Sequence, residues 1–294
     1  MFEKVAVAME RREFLTGIGA IALGASLPAV AAIDEPGSSL RIGLTPVFLD
    51  DQAAFLNRWR DYLAQKTGLP VTFVQRSSYR EISEQINAKG LDIAWMCGYP
   101  YVIDQDRLRL MAVPLHLGRP EYRSYLIARH DAREVHGMDD LAGRVFAFSD
   151  PNSFSGSLYP RFLLHRAGRN PEQFFRRSFY TWSHRKVVEA VSVGLADGGA
   201  VAGYVWETLA RIHPEITADT RVVSTSPIYG FPPFVARSDI DDAIFDAVQR
   251  VFLDMRTDPA GARLLETLNL DGFVPGEPAM FGEIREMARL VDRR

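Results

Sequence analysis

The sequence predicts two α/β lobes joined by two crossing segments, with a ligand cleft between them. Three observations carry this. A strand–helix alternation occurs twice, over Ser39–Met96 and again over Arg144–Tyr204. Two pairs of strand-like segments, Leu108–Pro114 with Tyr122–Ala128 and Arg221–Thr225 with Phe234–Arg237, carry the chain into the second alternation and back. The stretches richest in hydroxyl, imidazole, thiol and aromatic groups fall after strands, and open parallel sheets place their ligands beyond the carboxyl ends of the strands.

In the first alternation Ser39–Thr45 reads as a strand. Asp50–Thr67 reads as an amphipathic helix, because Phe55, Leu56, Trp59, Tyr62 and Leu63 recur at helical spacing and Gly68 follows as a stop. Val71–Gln75 is a strand. Ser78–Lys89 is a helix opened by the Ser78-x-x-Glu81 capping box and closed by Gly90. Leu91–Met96 is the third strand. This order implies parallel pairing through right-handed crossovers. The second alternation runs through a strand at Arg144–Phe148, a polar loop feeding a helix that stops at Gly168, a short strand at Phe179–Thr181, a helix over Ser183–Gly194 and a strand over Gly199–Tyr204. Asp239–Leu290 reads as mostly helical. Lobe 1 is therefore expected over 39–128 and 226–294, and lobe 2 over 129–225.

The N-terminus carries an export signature. "ERREFLTG" (Glu10–Gly17) precedes an apolar run, Ile18–Val30, and Ala29-Val30-Ala31 offers a small-x-small cleavage site. Arg11-Arg12 followed by Phe14-Leu15 resembles the twin-arginine motif. Residues 1–31 are thus expected to be a signal peptide read by the twin-arginine translocase, and 32–38 a linker, which places the protein in the periplasm. The run is shorter than the ~20 residues of an ordinary membrane span; a retained N-terminal anchor is the alternative, and Met9 is an alternative start. Disulfides form in that compartment, yet Cys97 is the single cysteine in 294 residues, so no intrachain bridge exists. A net charge of −3 and the absence of a long Lys/Arg block after the N-terminus argue against nucleic acid as a partner.

The strand-end rule selects Pro46–Asp50, Cys97–Tyr101, Asp150–Ser157, Trp182–His184 and Tyr204–Trp206 as cleft candidates. In "SDPNSFSGSLYP" (Ser149–Pro160), hydroxyls and Gly156 precede a helix whose free N–H groups and dipole suit an oxyanion. A polar N-cap is the alternative. His184 falls in the first turn of the next helix, where it serves either as an anion donor or as a capping residue. Aromatics crowd the same stretches: Phe48, Tyr99, Tyr101, Phe154, Trp182, Tyr204, Trp206, Tyr229 and Phe231. About half of them are expected in the core, and Tyr99 and Tyr101, after a strand and a turn, in the cleft. Ser, His and Asp are all present, so an exported hydrolase was weighed. No G-x-S-x-G elbow, HExxH helix or paired Cys/His set occurs, so no enzyme, cofactor or metal is expected.

These motifs together resemble the phosphonate/phosphite group of periplasmic solute-binding proteins of ABC transporters, over about Leu40–Leu268. The carriers are "RIGLTP" (Arg41–Pro46), "DIAWMCGYPYV" (Asp92–Val102), the serine-rich loop, "SHRKVVEAVSVGLADGGAV" (Ser183–Val201) and "SPIYGFPPFVAR" (Ser226–Arg237). The resemblance implies a type II periplasmic binding protein that closes on a small oxyanion by hinge motion and delivers it to an ABC permease. It implies ligand contacts from Ser153, Ser155, His184 and either Tyr99 or Tyr101. Phe48, Cys97, Phe154 and Tyr204 complete the candidate set. Three departures stand out. Phe154 replaces a hydroxyl residue of the family's loop, Ala202 replaces an acidic residue, and Cys97 stands where many members have a glycine-proline-type turn. That pattern also resembles an offshoot, the arsenite-binding proteins that work with a sensor histidine kinase. Arsenite is a neutral trihydroxide with a soft centre that prefers sulfur, so Cys97 reads either as its ligand or as a small buried hydrophobe.

Overall fold

A computed structural model describes residues 39–45 and 53–292. The expected signal peptide, the linker and Phe48 lie outside the described residues.

The first lobe is built on β1 (Leu40–Leu44), α1 (Ala53–Thr67), β2 (Val71–Gln75), α2 (Tyr79–Asn87), β3 (Ile93–Trp95) and α3 (Gly98–Asp104), followed by β4 (Leu108–Leu115). Strand β1 lies between β2 and β3 and is parallel to both, with Ile42 opposite Phe73 on one side and Ile93 on the other. Such a doubly flanked strand needs apolar residues on both faces, and "LRIGL" supplies them. Helix α1 buries Phe55, Leu56, Trp59, Tyr62 and Leu63, the stripe expected from spacing. Ser78 caps α2 by accepting from the Glu81 N–H. At its other end Lys89, not Gly90, takes the left-handed conformation, with φ 59°.

The chain crosses to the second lobe through β5 (Glu121–Tyr122) and continues as β6 (Ser124–Arg129), β7 (Val145–Phe148), α4 (Tyr159–Arg166), α5 (Pro171–Phe174), β8 (Arg177–Tyr180), α6 (His184–Ser192), β9 (Gly198–Ala202), α7 (Gly203–Ile212), α8 (Pro214–Thr217) and β10 (Thr220–Thr225). It returns through β11 (Tyr229–Gly230) into β12 (Phe234–Arg237), α9 (Asp242–Asp254), α10 (Pro259–Leu268), β13 (Gly272–Pro275) and α11 (Gly282–Asp292). The sheets have strand orders β13-β4-β12-β3-β1-β2 and β10-β6-β9-β7-β8, and β5 pairs with β11 in a separate two-stranded ribbon. β6 is antiparallel to β9 in the second sheet, so the outward crossing falls at Glu121–Tyr122 rather than after Ala128. β13 is a strand in a tail that hydropathy reads as mostly helical; its four residues are too few to show a period.

Away from the ribbon, one of the places where the lobes also meet is a seam where α7 packs against the corner between α10 and β13. The Tyr204 hydroxyl donates to the Leu268 carbonyl. Asn269 Nδ2 donates to Thr208 Oγ1 at 3.0 Å, and Arg211 donates to Asn269 Oδ1 at 2.6 Å. His116, at the end of β4, places Nδ1 2.9 Å from the Asn269 carbonyl and Nε2 2.7 Å from Glu207 Oε2, while the Tyr125 hydroxyl donates to the other Glu207 oxygen. With an acceptor at each ring nitrogen, His116 is held as imidazolium. Burial opposes that charge, but Glu207 and the Asn269 carbonyl outweigh it and raise its pKa above the ordinary value.

Candidate functional site

Between the lobes lies a buried cavity of about 20 Å³, room for little more than one water. Its polar lining includes Thr45, Cys97, Tyr122, Ser155, His184 and Tyr204, and its apolar walls include Trp95, Phe231, Pro232 and Val205. Both lobes and the ribbon contribute, so the lobes stand closed around it. No Lys or Arg lines it among the described residues.

The serine-rich loop is positioned by the sequence around Gly156. After Ser153 the backbone makes a π-helical turn, Phe154–Leu158, before α4 begins, and the Leu158 N–H donates five residues back to the Ser153 carbonyl at 2.9 Å. Ser153 caps this turn, its Oγ accepting from the Gly156 N–H at 3.1 Å. A Cβ at Gly156 would lie 1.9 Å from Ser149 Oγ, 2.6 Å from Ser149 Cβ and 3.0 Å from His184 Cε1, so only glycine lets the loop nest between Ser149 and His184. Ser155 is fully buried, lines the cavity and makes no well-formed hydrogen bond, although the Tyr122 phenol stands within reach.

His184 opens α6 with its ring buried, and burial lowers its pKa to about 3. Its Nδ1 accepts the Ala202 N–H at 3.1 Å. The ring is therefore a neutral tautomer with its proton on Nε2, and that proton faces Ser153 Oγ at 3.3 Å. Cys97, 4% exposed, follows β3 and accepts the Phe154 N–H on Sγ at 3.2 Å. Burial raises its pKa and keeps it a thiol. Tyr122 stands beside it, its phenol also raised by burial.

Of the residues selected from sequence, Cys97, Ser155, His184 and Tyr204 meet at this cavity, and Ser153 supports it through His184. Phe154 contributes its backbone N–H, while its ring turns into the cluster of Tyr122, Tyr159 and Tyr229. Tyr99 and Tyr101 are placed elsewhere. The Tyr99 hydroxyl donates to Asp292 Oδ2 at 2.7 Å, and the Tyr101 ring packs edge-on against Phe281 at 5.0 Å. The reason is local: "GYPY" is the first turn of α3, not a loop, and there each ring finds a partner in the C-terminal segment. Trp182, with φ 64° and 47% exposed, lies at the rim, and Trp206 donates to Thr220 Oγ1 away from the cavity. Sequence reasoning missed Thr45, Trp95, Tyr122 and Pro232. Thr45 and Trp95 end β1 and β3, so the strand-end rule, extended by one residue, finds them; Tyr122 lies on an antiparallel crossing that the rule does not cover.

The family of ABC transporter, phosphonate, periplasmic substrate-binding proteins matches residues 42–281. The chain is 22% identical over 252 residues, 81% of its own length and 84% of the other's, to a probable ABC transporter phosphite binding protein, PhnD1, of Prochlorococcus marinus strain MIT 9301. Among solved structures it superimposes with a TM-score of 0.79 on a binding protein component of an ABC phosphonate transporter from Pseudomonas aeruginosa, at 21% identity and covering 87% of each chain. With PhnD1 of P. marinus in complex with methylphosphonate the TM-score is 0.78, at 21% identity, covering 87% of this chain and 99% of that one.

Proposed function

Because this chain belongs to the family of periplasmic substrate-binding proteins of phosphonate ABC transporters, we propose that its cavity, which must widen beyond its present 20 Å³ or so, binds a small phosphorus oxyacid, phosphite or methylphosphonate, and presents it to an ABC permease. The observation that carries the reading is the Ser155 hydroxyl, buried and without a well-formed partner at the cavity wall. A buried polar group left unsatisfied costs about 1–3 kcal/mol, so a ligand that bonds it recovers that energy. Ser153 and His184 stand behind it, and Tyr204 and Tyr122 close the sides. The protein binds its solute without transforming it, and reaches the periplasm through the twin-arginine-type signal over residues 1–31.

A thermal-shift panel tests this. A solute that binds only the folded protein stabilises it by RT ln(1 + [L]/Kd), about 2.7 kcal/mol at a hundredfold excess over Kd. Phosphite or methylphosphonate is expected to raise Tm. No shift with either removes the reading.

One observation favours a second solute. Cys97 lines the cavity while also packing in the core, and a neutral thiol condenses with neutral arsenous acid to an arsenic–sulfur bond with release of one water, leaving no net charge. On this reading the protein reports arsenite to a sensor kinase. Cys97→Ser is then expected to abolish an arsenite-induced Tm shift and to leave the phosphite shift nearly intact; equal loss of both makes the residue structural.

A further inference from the structure

We propose that Asp150 makes the cavity select its solute by protonation state, admitting an uncharged or singly charged oxyacid and excluding the doubly charged anion. This rests on the oxyacid reading above and adds to it which ionised form is bound.

Several observations converge. Three backbone donors beside the cavity are already used within the protein. The Ala202 N–H goes to His184 Nδ1, the Phe154 N–H to Cys97 Sγ and the Gly156 N–H to Ser153 Oγ. The N-terminus of α2 is occupied as well: Asp150, 1% exposed, reaches across from the second lobe, and its Oδ2 accepts the Tyr79 N–H at 3.1 Å. Its Oδ1 accepts the Asn152 N–H at 2.7 Å. A carboxylate thus sits at the helix end whose dipole would otherwise favour an anion, behind Tyr79 and Cys97 in the cavity wall.

No positive charge offsets it inside. His184 is neutral, and no Lys or Arg lines the cavity among the described residues. The Cys97 thiol after β3 stands beside Asp150, and burial raises the pKa of both; the Tyr122 phenol and the His184 imidazole, elsewhere in the cavity wall, are neutral. The charged groups of the neighbouring elements, Arg76, Arg80 and Glu81 around the start of α2 and Lys186 on α6, line a separate pocket. Arg80 pairs with Glu84, and Glu81 with the Ser77 and Ser78 hydroxyls.

What remains at the wall are hydroxyls and a thiol, Ser155, Tyr122 and Cys97. Each both donates and accepts. They match a solute that keeps O–H groups of its own, whereas a doubly charged oxyanion only accepts and would be buried beside a carboxylate without a counter-charge.

Titration calorimetry of inorganic phosphite from pH 5 to 9 tests this, because its second proton dissociates within that range. Sulfate, doubly charged throughout, is the control. The expected result is an affinity that falls about tenfold per pH unit above the second dissociation, the slope for one required proton, with no sulfate binding at any pH. Asp150→Asn is expected to flatten that slope and to gain affinity for the doubly charged form by tenfold or more at pH 8. Phosphite binding independent of pH, or sulfate binding to the unaltered protein, overturns the selection, and neither measurement needs the variant to fold. Absence of binding by both phosphite and methylphosphonate at every pH overturns the oxyacid reading beneath it.

Discussion

Gly156→Ala puts the nesting of the serine-rich loop to the test. The added Cβ meets Ser149 Oγ at 1.9 Å and Ser149 Cβ at 2.6 Å. Rotating the Ser149 hydroxyl relieves the first contact but not the second, because Cβ is fixed to the backbone. The loop must therefore move by the better part of an ångström, which strains the Ser149 N–H to Gly156 carbonyl bond, 3.1 Å in length, and pulls Ser153 away from His184. Overpacking costs about 1–3 kcal/mol and a weakened buried hydrogen bond about 1 kcal/mol, while alanine regains about 1 kcal/mol of helix propensity. The net is a loss of about 1–3 kcal/mol. At about 2–4 °C per kcal/mol for a protein of this size, Tm is expected to fall by roughly 2–12 °C, with affinity for the solute lost at least tenfold. Gly282→Ala makes the same chemical change at the start of α11, where nothing lies within 4 Å of the new Cβ, and is expected to leave Tm unchanged or slightly raised. A Gly156→Ala protein as stable as the Gly282→Ala control, with undiminished binding, would refute the steric reasoning.

Three further outcomes follow from groups outside the loop. His184 titrates at about 3 when folded and near 6.5 when unfolded. The unfolded chain therefore takes up the extra proton, and stability falls as pH drops below 6.5, by about 2 kcal/mol at pH 5. His184→Asn is expected to remove that slope in denaturant titrations, and an unchanged slope means the ring is not buried. His116 has the opposite sign: its raised pKa gives stability that is complete below about 6.5 and lost as pH rises through the folded value. For Glu207, burial is outweighed by the His116 and Tyr125 hydrogen bonds and the pKa is lowered, so its share is lost as pH falls through the folded value. Glu207→Gln is expected to cost most stability between about pH 4.5 and 6.5; a pH-independent cost contradicts the ion pair. Tyr99→Phe is expected to lower stability by about 1 kcal/mol through the lost Asp292 bond and to leave solute affinity unaltered, and a drop in affinity returns Tyr99 to the site.

The architecture was legible because its signals are local and periodic. The α1 stripe from Phe55 to Leu63, the Ser78 cap and the strand–turn–helix order each follow from one short window. Cys97, Ser155, His184 and Tyr204 were legible as residues of this cavity wall because each lies shortly after a strand, in the turn or helix that follows it. Tyr99 and Tyr101 were misplaced by a single turn of backbone: Pro100 reads as a loop residue but is equally at home in the first turn of a helix, where the two rings pack against the C-terminal segment. Tyr122 and Asp150 were harder to assign for another reason. Tyr122 reaches the cavity from an antiparallel ribbon with no strand-end signature, and the role of Asp150 depends on Tyr79, 71 residues away, a pairing that no window contains.

The ribbon formed by β5 and β11 is only two residue pairs wide, Tyr229 with Tyr122 and Gly230 with Glu121. Tyr122 therefore belongs to two parts at once: its backbone is half of the narrowest joint in the molecule and its ring is a wall of the cavity. A solute enclosed there has no exit while the joint stays bent, so its escape rate is capped by the frequency with which the lobes swing apart. Substitutions along the joint or the α7 seam will then surface as altered residence times, even where every atom touching the solute is untouched.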